Sequence, residues 1–332
     1  METDREYLLA VDAGQTSTKS ILAGAESNVA LHRRGGAVDH FRQHGARRRN
    51  EAVIQDVIGE LCLAASIEPD RITAVAVGWT ALRRGSPEVV TVERLFARLL
   101  PAARLIVLPD YVVSLAGGSC GAPGIVVISG GGSIAYGLAP DGREAVVGGL
   151  GYLVGDEGSA YDIGRRAVAA AARSSDGRDR PTALEELIRE TFELDEVRDI
   201  TRMVYAKGFS RATLANLAPS VAALALDGDV VAREIMVSAG QELGRAAVAV
   251  AKKLGLVDPT VYTAGGVFGA GEIVRGPFRQ AVQDWIPLAG IRPPTYPPVV
   301  GALLLARRLR GIPDEPGWLS AVAARYPGEP VP

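Results

Sequence analysis

An apolar run that ends in a glycine-containing turn and then resumes is the feature that most limits what this chain can fold into. It occurs twice. Residues 7–11 run into Asp12-Ala13-Gly14 and resume at 20–23. Residues 124–128 run into Ser129-Gly130-Gly131-Gly132-Ser133 and resume at 134–138. Short apolar runs bounded by turn residues read as buried strands, so each instance is a strand–turn–strand hairpin. Each also opens a section of mixed strands and helices. The repetition predicts an α/β protein of two domains around an interdomain cleft. The boundary is expected near Gly117-Gly118, giving domains 1–117 and 118–332, with a last helix at 299–310 packing back on the first.

The other elements follow from periodicity. Asn50 precedes apolar residues at 53, 54, 57, 58 and 61, one helical face with Asn50 as candidate N-cap. A strand (72–77), a helix (89–100) and a strand (105–108) come next, and Asp110 opens a further helix. Residues 145–147 form another strand after the Pro140-Asp141-Gly142 turn. The pattern is mostly helical from 156 to 256, a late strand at 261–264 ends in Gly265-Gly266, and a Pro-rich tail is expected to fray.

Charge and cysteine usage exclude several classes. The 36 basic and 38 acidic residues leave a formal net charge of −2, so neither nucleic acid nor an anionic membrane is expected as a partner. Arg42 and Arg47-Arg48-Arg49 read as solvated surface. No apolar run approaches the ~18 residues of a transmembrane helix. The charged start, Met1 to Glu6, lacks a signal-peptide pattern, so Cys62 and Cys120 are expected as reduced thiols in a cytoplasmic protein.

Three motifs could carry chemistry. In Asp12-Ala13-Gly14-Gln15-Thr16-Ser17-Thr18-Lys19, small residues and hydroxyls suit an anion, and Asp12 could hold water on Mg²⁺; the same residues also make an ordinary hairpin turn. Residues 130–135 match G-x-G-x-x-[GA], but a dinucleotide turn must open a helix and here a strand follows. There is no GxxxxGK[ST] either. The densest segment is 148–164, with six glycines and the adjacent Asp156 and Glu157. These two either bond sugar hydroxyls or complement a helix dipole.

Together these motifs resemble the N-acetylglucosamine kinase family, sugar kinases of the actin and hexokinase superfamily. Residues 148–164 resemble its GGWGxxxGDEGSxxxIG motif, 12–19 its first phosphate loop, and 129–133 its second. Thr263-Ala264-Gly265-Gly266-Val267 resembles its adenosine-side turn. Gly208-Phe209-Ser210-Arg211 and Asp176-Gly177-Arg178 also resemble the family, and the likeness runs from about 7 to 306.

The resemblance implies two ribonuclease H-like, actin-like ATPase domains and a set of site residues. ATP phosphates would meet Gly14, Gln15, Thr16, Ser17, Thr18 and Lys19 from one loop. Gly130, Gly131, Gly132 and Ser133 would meet them from the other. Gly208, Gly265 and Gly266 would lie at adenosine, and Mg²⁺ near Asp12. Asp110 matches the catalytic aspartate, although the residue alone reads equally as a helix N-cap. Asp39, His40, Trp79, Asp110, Gly149, Leu150, Gly151 and Asp156 would line the sugar, Trp79 being as readily a packed aromatic. Phosphorylation at the 6-hydroxyl and a homodimer are also implied.

Three positions depart from the family pattern: Asp39 replaces asparagine, Leu150 tryptophan, and Gly131 a threonine. An added anion at Asp39 is expected to suit an amine or hydroxyl better than an acetamido oxygen, so within the N-acetylglucosamine or glucosamine class an amino sugar or related hexose is expected in place of N-acetylglucosamine itself. An ATPase activator of a dehydratase or reductase, which needs clustered cysteines, is the second function weighed. A non-catalytic sugar sensor is the third. The glycines sharpen the picture. Windows 12–19, 129–137, 148–164 and 265–271 hold 15 of the 39 glycines in 41 residues, so the surplus lies at the turns assigned to ligands, where a Cβ would obstruct backbone approach.

Overall fold

The computed structural model describes residues 6–27, 29–205 and 209–326. The chain divides into two compact units, Met1–Ala122 with Pro294–Val331, and Pro123–Pro293.

The first unit begins with β1 (Tyr7–Ala13), β2 (Thr18–Gly24), β3 (Ala30–Gly35), α1 (Ala46–Ala65), β4 (Ile72–Trp79), α2 (Pro87–Leu99), β5 (Arg104–Pro109) and α3 (Asp110–Gly118). Its sheet has the order β3-β2-β1-β4-β5. β1, β4 and β5 are parallel, while β2 and β3 are antiparallel additions. β1 is buried on both faces, and its side chains alternate between them. Tyr7, Leu9, Val11 and Ala13 share a core with Ile54, Val57 and Leu61 of α1 and Phe96 of α2. Leu8 and Ala10 share the opposite core with Val113 of α3.

The second unit carries β6 (Gly124–Ser129), β7 (Ser133–Leu138), β8 (Glu144–Gly148), α4 (Ala160–Ser175), α5 (Leu184–Phe192), α6 (Ile200–Val204), α7 (Arg211–Ala215), α8 (Ala218–Leu226), α9 (Val230–Leu254), β9 (Thr260–Ala264), α10 (Glu272–Gln283) and β10 (Gly290–Arg292). Its sheet order is β10-β9-β6-β7-β8. Read from β8, this is the arrangement of the first unit: two antiparallel strands, a central strand, then two parallel ones. The hairpin repetition in the sequence is thus a repetition of sheet topology.

The chain finishes in the first unit with α11 (Pro298–Arg310) and α12 (Pro316–Ala324). Val299, Val300, Leu303 and Leu304 of α11 complete the core under Leu8 and Ala10. α11 and α3 touch through glycine. A Cβ on Gly301 would stand 2.1 Å from the Val113 carbonyl oxygen and 2.3 Å from the Gly117 nitrogen.

Several expectations change. The division falls at 122/123 rather than 117/118, which lies inside α3; the chain from Pro294 on, with the helix expected to pack on the first domain, belongs to the first unit. The tail expected to fray contains α12, whose Trp318, Leu319 and Val322 are buried. β3 and β10 were not anticipated from the sequence. α1 starts at Ala46 after Gly45, whose backbone is left-handed, so Asn50 is a buried interior residue and not the N-cap. Among the described residues no single helix is long and apolar enough to cross a membrane.

The glycine contact between α3 and α11 generates a prediction. G301A forces a methyl against backbone atoms that cannot rotate away. It is expected to destabilise the chain by about 2–3 kcal/mol in a denaturant titration, the upper part of the overpacking range.

Candidate active site

In the first unit the carboxylates of interest sit where strands leave the sheet. Asp12 is the penultimate residue of β1, and register places it between Lys19 of β2 and Gly78 of β4. Residues directly opposite on an antiparallel pair share a face, so Lys19 is the partner cation of Asp12. Asp110 follows the last residue of β5 and opens α3. Trp79 and Pro109 are register partners, which makes the next residues, Thr80 and Asp110, neighbours. The Thr80 hydroxyl and the backbone N–H groups of Asp110 and Tyr111 donate to the Asp110 carboxylate.

Both acids are held above the ordinary carboxylate range. Burial raises Asp12 to about 7, with Lys19 opposing the shift and the Asp110 charge adding to it. Burial likewise raises Asp110 to about 6, against the lowering effect of its hydrogen bonds. A pair of desolvated acids that sense each other's charge favours a cation or a proton at that strand edge.

The turn after β1 is closed by Gly14 N–H donating to the Ser17 carbonyl at 3.1 Å. Gln15 and Thr16 are exposed at its tip, and Ser17 is partly exposed. Thr18 is different. It pairs with Ala13 and so faces the α1 core, fully buried. Its expected role as a phosphate donor is corrected, because strand alternation resumes one residue earlier than the hydroxyl run suggests.

Trp79 is also corrected. It is 1% exposed, lies in the core beside α1 and α2, and stacks on Phe41 with ring centroids 5.6 Å apart. No face remains for a sugar. Thr80, missed from the sequence, is the residue of that segment which reaches the acid. Parallel register between β4 and β5 was the signal that could have found it.

Asp39 is not an open anion. Its carboxylate pairs with Arg49 Nε at 2.5 Å, and its backbone is clamped by Asn50, which accepts from the Asp39 N–H at 2.7 Å and donates to its carbonyl at 2.9 Å. The expectation that a spare charge here selects an amine is therefore corrected. His40 is partly exposed, and its Nδ1 accepts from the Arg42 N–H at 3.3 Å.

In the second unit the turn between β6 and β7 is bound to the segment after β8. Gly130 N–H donates to the Gly132 carbonyl, and Ala160 N–H donates to that of Gly130. The Ser129 hydroxyl donates to the Gly158 carbonyl at 2.9 Å and that of Ser133 to the Glu157 carbonyl at 2.7 Å. A Cβ on Gly130 would meet nothing within 4 Å, so the turn keeps an open cradle.

Asp156 takes a left-handed backbone, φ 62°, and is 4% exposed. Its Oδ1 accepts from the Ser133 N–H at 3.3 Å, and its Oδ2 lies 3.8 Å from Arg211 Nη1. The carboxylate thus lies close to the glycine turn, within 3.1 Å of where a Cβ on Gly132 would stand. Glu157 is exposed, and the helix starts later, at Ala160, with Ser159 accepting from the Asp162 N–H as N-cap. Leu150 is 66% exposed, and Gly149 and Gly151 beside it have positive φ.

Gly265, with φ 100°, ends β9 so close to β6 that a Cβ would stand 2.2 Å from the Ser129 carbonyl oxygen. It is a packing glycine. Gly266 has open space around it, and Gly208 lies outside the described residues. The two thiols lie apart: Cys62 is buried in the α1 core and Cys120 is exposed just past α3. One accessible thiol does not make the clustered set that an iron–sulfur centre needs.

Known proteins resemble this chain over most of its length. A curated N-acetylmuramic acid/N-acetylglucosamine kinase of Clostridium acetobutylicum is 30% identical over 306 residues, which is 91% of this chain and 98% of the relative. An N-acetyl-D-glucosamine kinase of Dictyostelium discoideum is 26% identical over 91% of this chain and 98% of its own. The crystal structure of a candidate N-acetylglucosamine kinase from Chromobacterium violaceum has a TM-score of 0.72 at 26% identity, covering 91% of this chain and 99% of that one. The resemblance to N-acetylglucosamine kinases and the actin-like ATPase fold are borne out. Residues 9–306 match one family description throughout, and the chain belongs to the BadF/BadG/BcrA/BcrD ATPase family.

Proposed function

We propose that this chain is an ATP-dependent hexosamine kinase, transferring the γ-phosphoryl group of ATP to the 6-hydroxyl of an N-acetylated amino sugar. The observation that carries the reading is the pair of desolvated acids, Asp12 and Asp110, at the strand edge beside the Gly14 turn. Kinship to curated kinases of N-acetylglucosamine and N-acetylmuramic acid supports the substrate class.

Asp110 is the base in this reading. Phosphoryl transfer through a loose transition state needs the nucleophilic hydroxyl positioned and its proton received. The Thr80 hydroxyl and the α3 N–H groups fix the carboxylate, and a pKa of about 6 leaves it ionised yet basic near neutral pH. Asp12 and the 14–17 turn fit Mg²⁺ and phosphate: a buried carboxylate raised to about 7 gains from a cation. Bound there through water, Mg²⁺ would neutralise phosphate charge. Gly130, Gly131, Gly132 and Ser133 are the second phosphate-binding segment of this reading. A homodimer and a cytoplasmic location complete it.

D110N is expected to lower kcat by about 10³-fold, within the range for a lost general base, while ATP affinity measured by calorimetry stays within a few-fold. Unchanged turnover removes Asp110 as base. ADP release across glucosamine, N-acetylglucosamine, N-acetylmuramic acid and glucose tests the sugar. Because Arg49 already meets the Asp39 charge, the N-acetylated sugars are expected to have the highest kcat/KM. A clear lead for glucosamine contradicts this.

The raised acids also predict a stability profile. An acid whose native pKa lies above its unfolded value binds more protons when folded between the two. Its stabilising contribution is complete below about pH 4 and is lost as pH rises through about 7. D12N stays neutral and escapes that loss. The advantage of D12N over the wild type without nucleotide is expected to grow from pH 4 to 7.5, by roughly 2–4 kcal/mol. A flat difference across that window in denaturant titrations refutes the assignment.

A further inference from the structure

The geometry points to Arg211 as the phosphate-binding side chain of the second glycine turn, standing in for the hydroxyl that Gly131 lacks. The inference rests on the kinase reading and deepens it. Arg211 opens α7, and its side chain is 33% exposed. Nη1 lies 3.8 Å from Asp156 Oδ2. Nη2 lies 3.9 Å from where a Cβ on Gly131 would stand, and among the described residues nothing else comes within 4 Å of that point. One planar guanidinium therefore has one nitrogen on a buried carboxylate and another over the turn.

Electrostatics make this cation necessary. A Cβ on Gly132 would stand 2.9 Å from Asp156 Oδ2, so the carboxylate lies directly behind the turn. A glycine cradle backed by an unscreened negative charge repels phosphate. Burial raises the Asp156 pKa, and the Ser133 N–H and the Arg211 charge both oppose that rise. A guanidinium presents five donors in a rigid fork suited to phosphate oxygens. Asp156 is then a positioning residue: it receives the Ser133 N–H and aims Arg211 at the turn. The turn retains room for this because Gly131 has no side chain, and Tyr152 lies on another side of the guanidinium, 5.9 Å from ring centroid to Cζ.

The test compares nucleotides that do and do not carry distal phosphates. Binding of AMPPNP with Mg²⁺, and of AMP, is measured by calorimetry on the full chain for wild type and R211M, which keeps the apolar stem. R211M is expected to weaken AMPPNP by about 20-fold, the scale of a lost charge-assisted hydrogen bond, and AMP by less than about twofold. G131T in the R211M background is expected to recover part of the AMPPNP affinity by returning a hydroxyl. Unchanged AMPPNP binding in R211M, or an equal loss with AMP, overturns the role of Arg211 while leaving the kinase reading intact. A wild type that does not bind AMPPNP overturns the kinase reading itself. Should R211M fail to fold, R211Q keeps a polar head without the positive charge and is read by the same two ratios.

Discussion

A strand buried on both faces has no place for a carboxylate except its end. β1 is such a strand, with Tyr7 to Val11 all in core. Asp12 comes just before its last residue, still paired on both edges, with Lys19 and Gly78. β5 obeys the same rule by a different route: Pro109 ends the strand and Asp110 starts α3, whose first N–H groups have no helical partner and turn to the carboxylate. The two acids are thus neighbours because β1, β4 and β5 are parallel and stop in register. Their raised pKa values are consequences of this placement. The sheet confers proximity, and the cost of desolvating two acids is what a bound cation would relieve.

The second unit repeats the sheet without repeating the charge. β6 ends in Ser129 and a run of glycines where β1 carries an acid just before its last residue. Its negative group, Asp156, comes from a later segment and is held by a left-handed backbone, by the Ser133 N–H and by Arg211. A left-handed conformation is costly for a non-glycine residue, and it persists here because the flanking hydrogen bonds of Ser129, Ser133 and Ala160 fix the segment on both sides. One architecture therefore yields an acid-bearing strand edge in one unit and a glycine cradle in the other.

The legible parts of the sequence were those governed by short-range pattern. The apolar runs, the two glycine turns and the position of Asp110 between a strand and a helix all follow from residues within a few places of each other. What escaped needed register or distant pairing. Thr18 looked like a phosphate donor because it continues a hydroxyl run, yet strand alternation had already turned it to the core. Trp79 reads equally as cleft lining or as a packed aromatic, while Thr80, one residue on, meets the acid; the pairing of Trp79 with Pro109 places Thr80 there. Asp39 read as a free anion because Arg49 lies ten residues away across a loop. α12 was missed because a Pro-rich stretch masks a helix that is stabilised by burying Trp318, Leu319 and Val322, not by its own propensity.

The departures from the sugar kinase pattern fall where side chains, and not strand register, set the geometry. Asp12 and Asp110 occupy strand ends, so their placement follows from the whole sheet. Asp39, Leu150 and Gly131 lie on turns and loops, where one exchange can be met by another. A negative charge at 39 is matched by Arg49. A missing side chain at 131 coincides with a guanidinium reaching that space from α7. Leu150 alone has no such counterpart: it projects from a segment whose glycines have positive φ, exposed beside Leu153 and Val154. A stacking indole and a branched aliphatic chain both offer an apolar face, but only the indole offers a flat one.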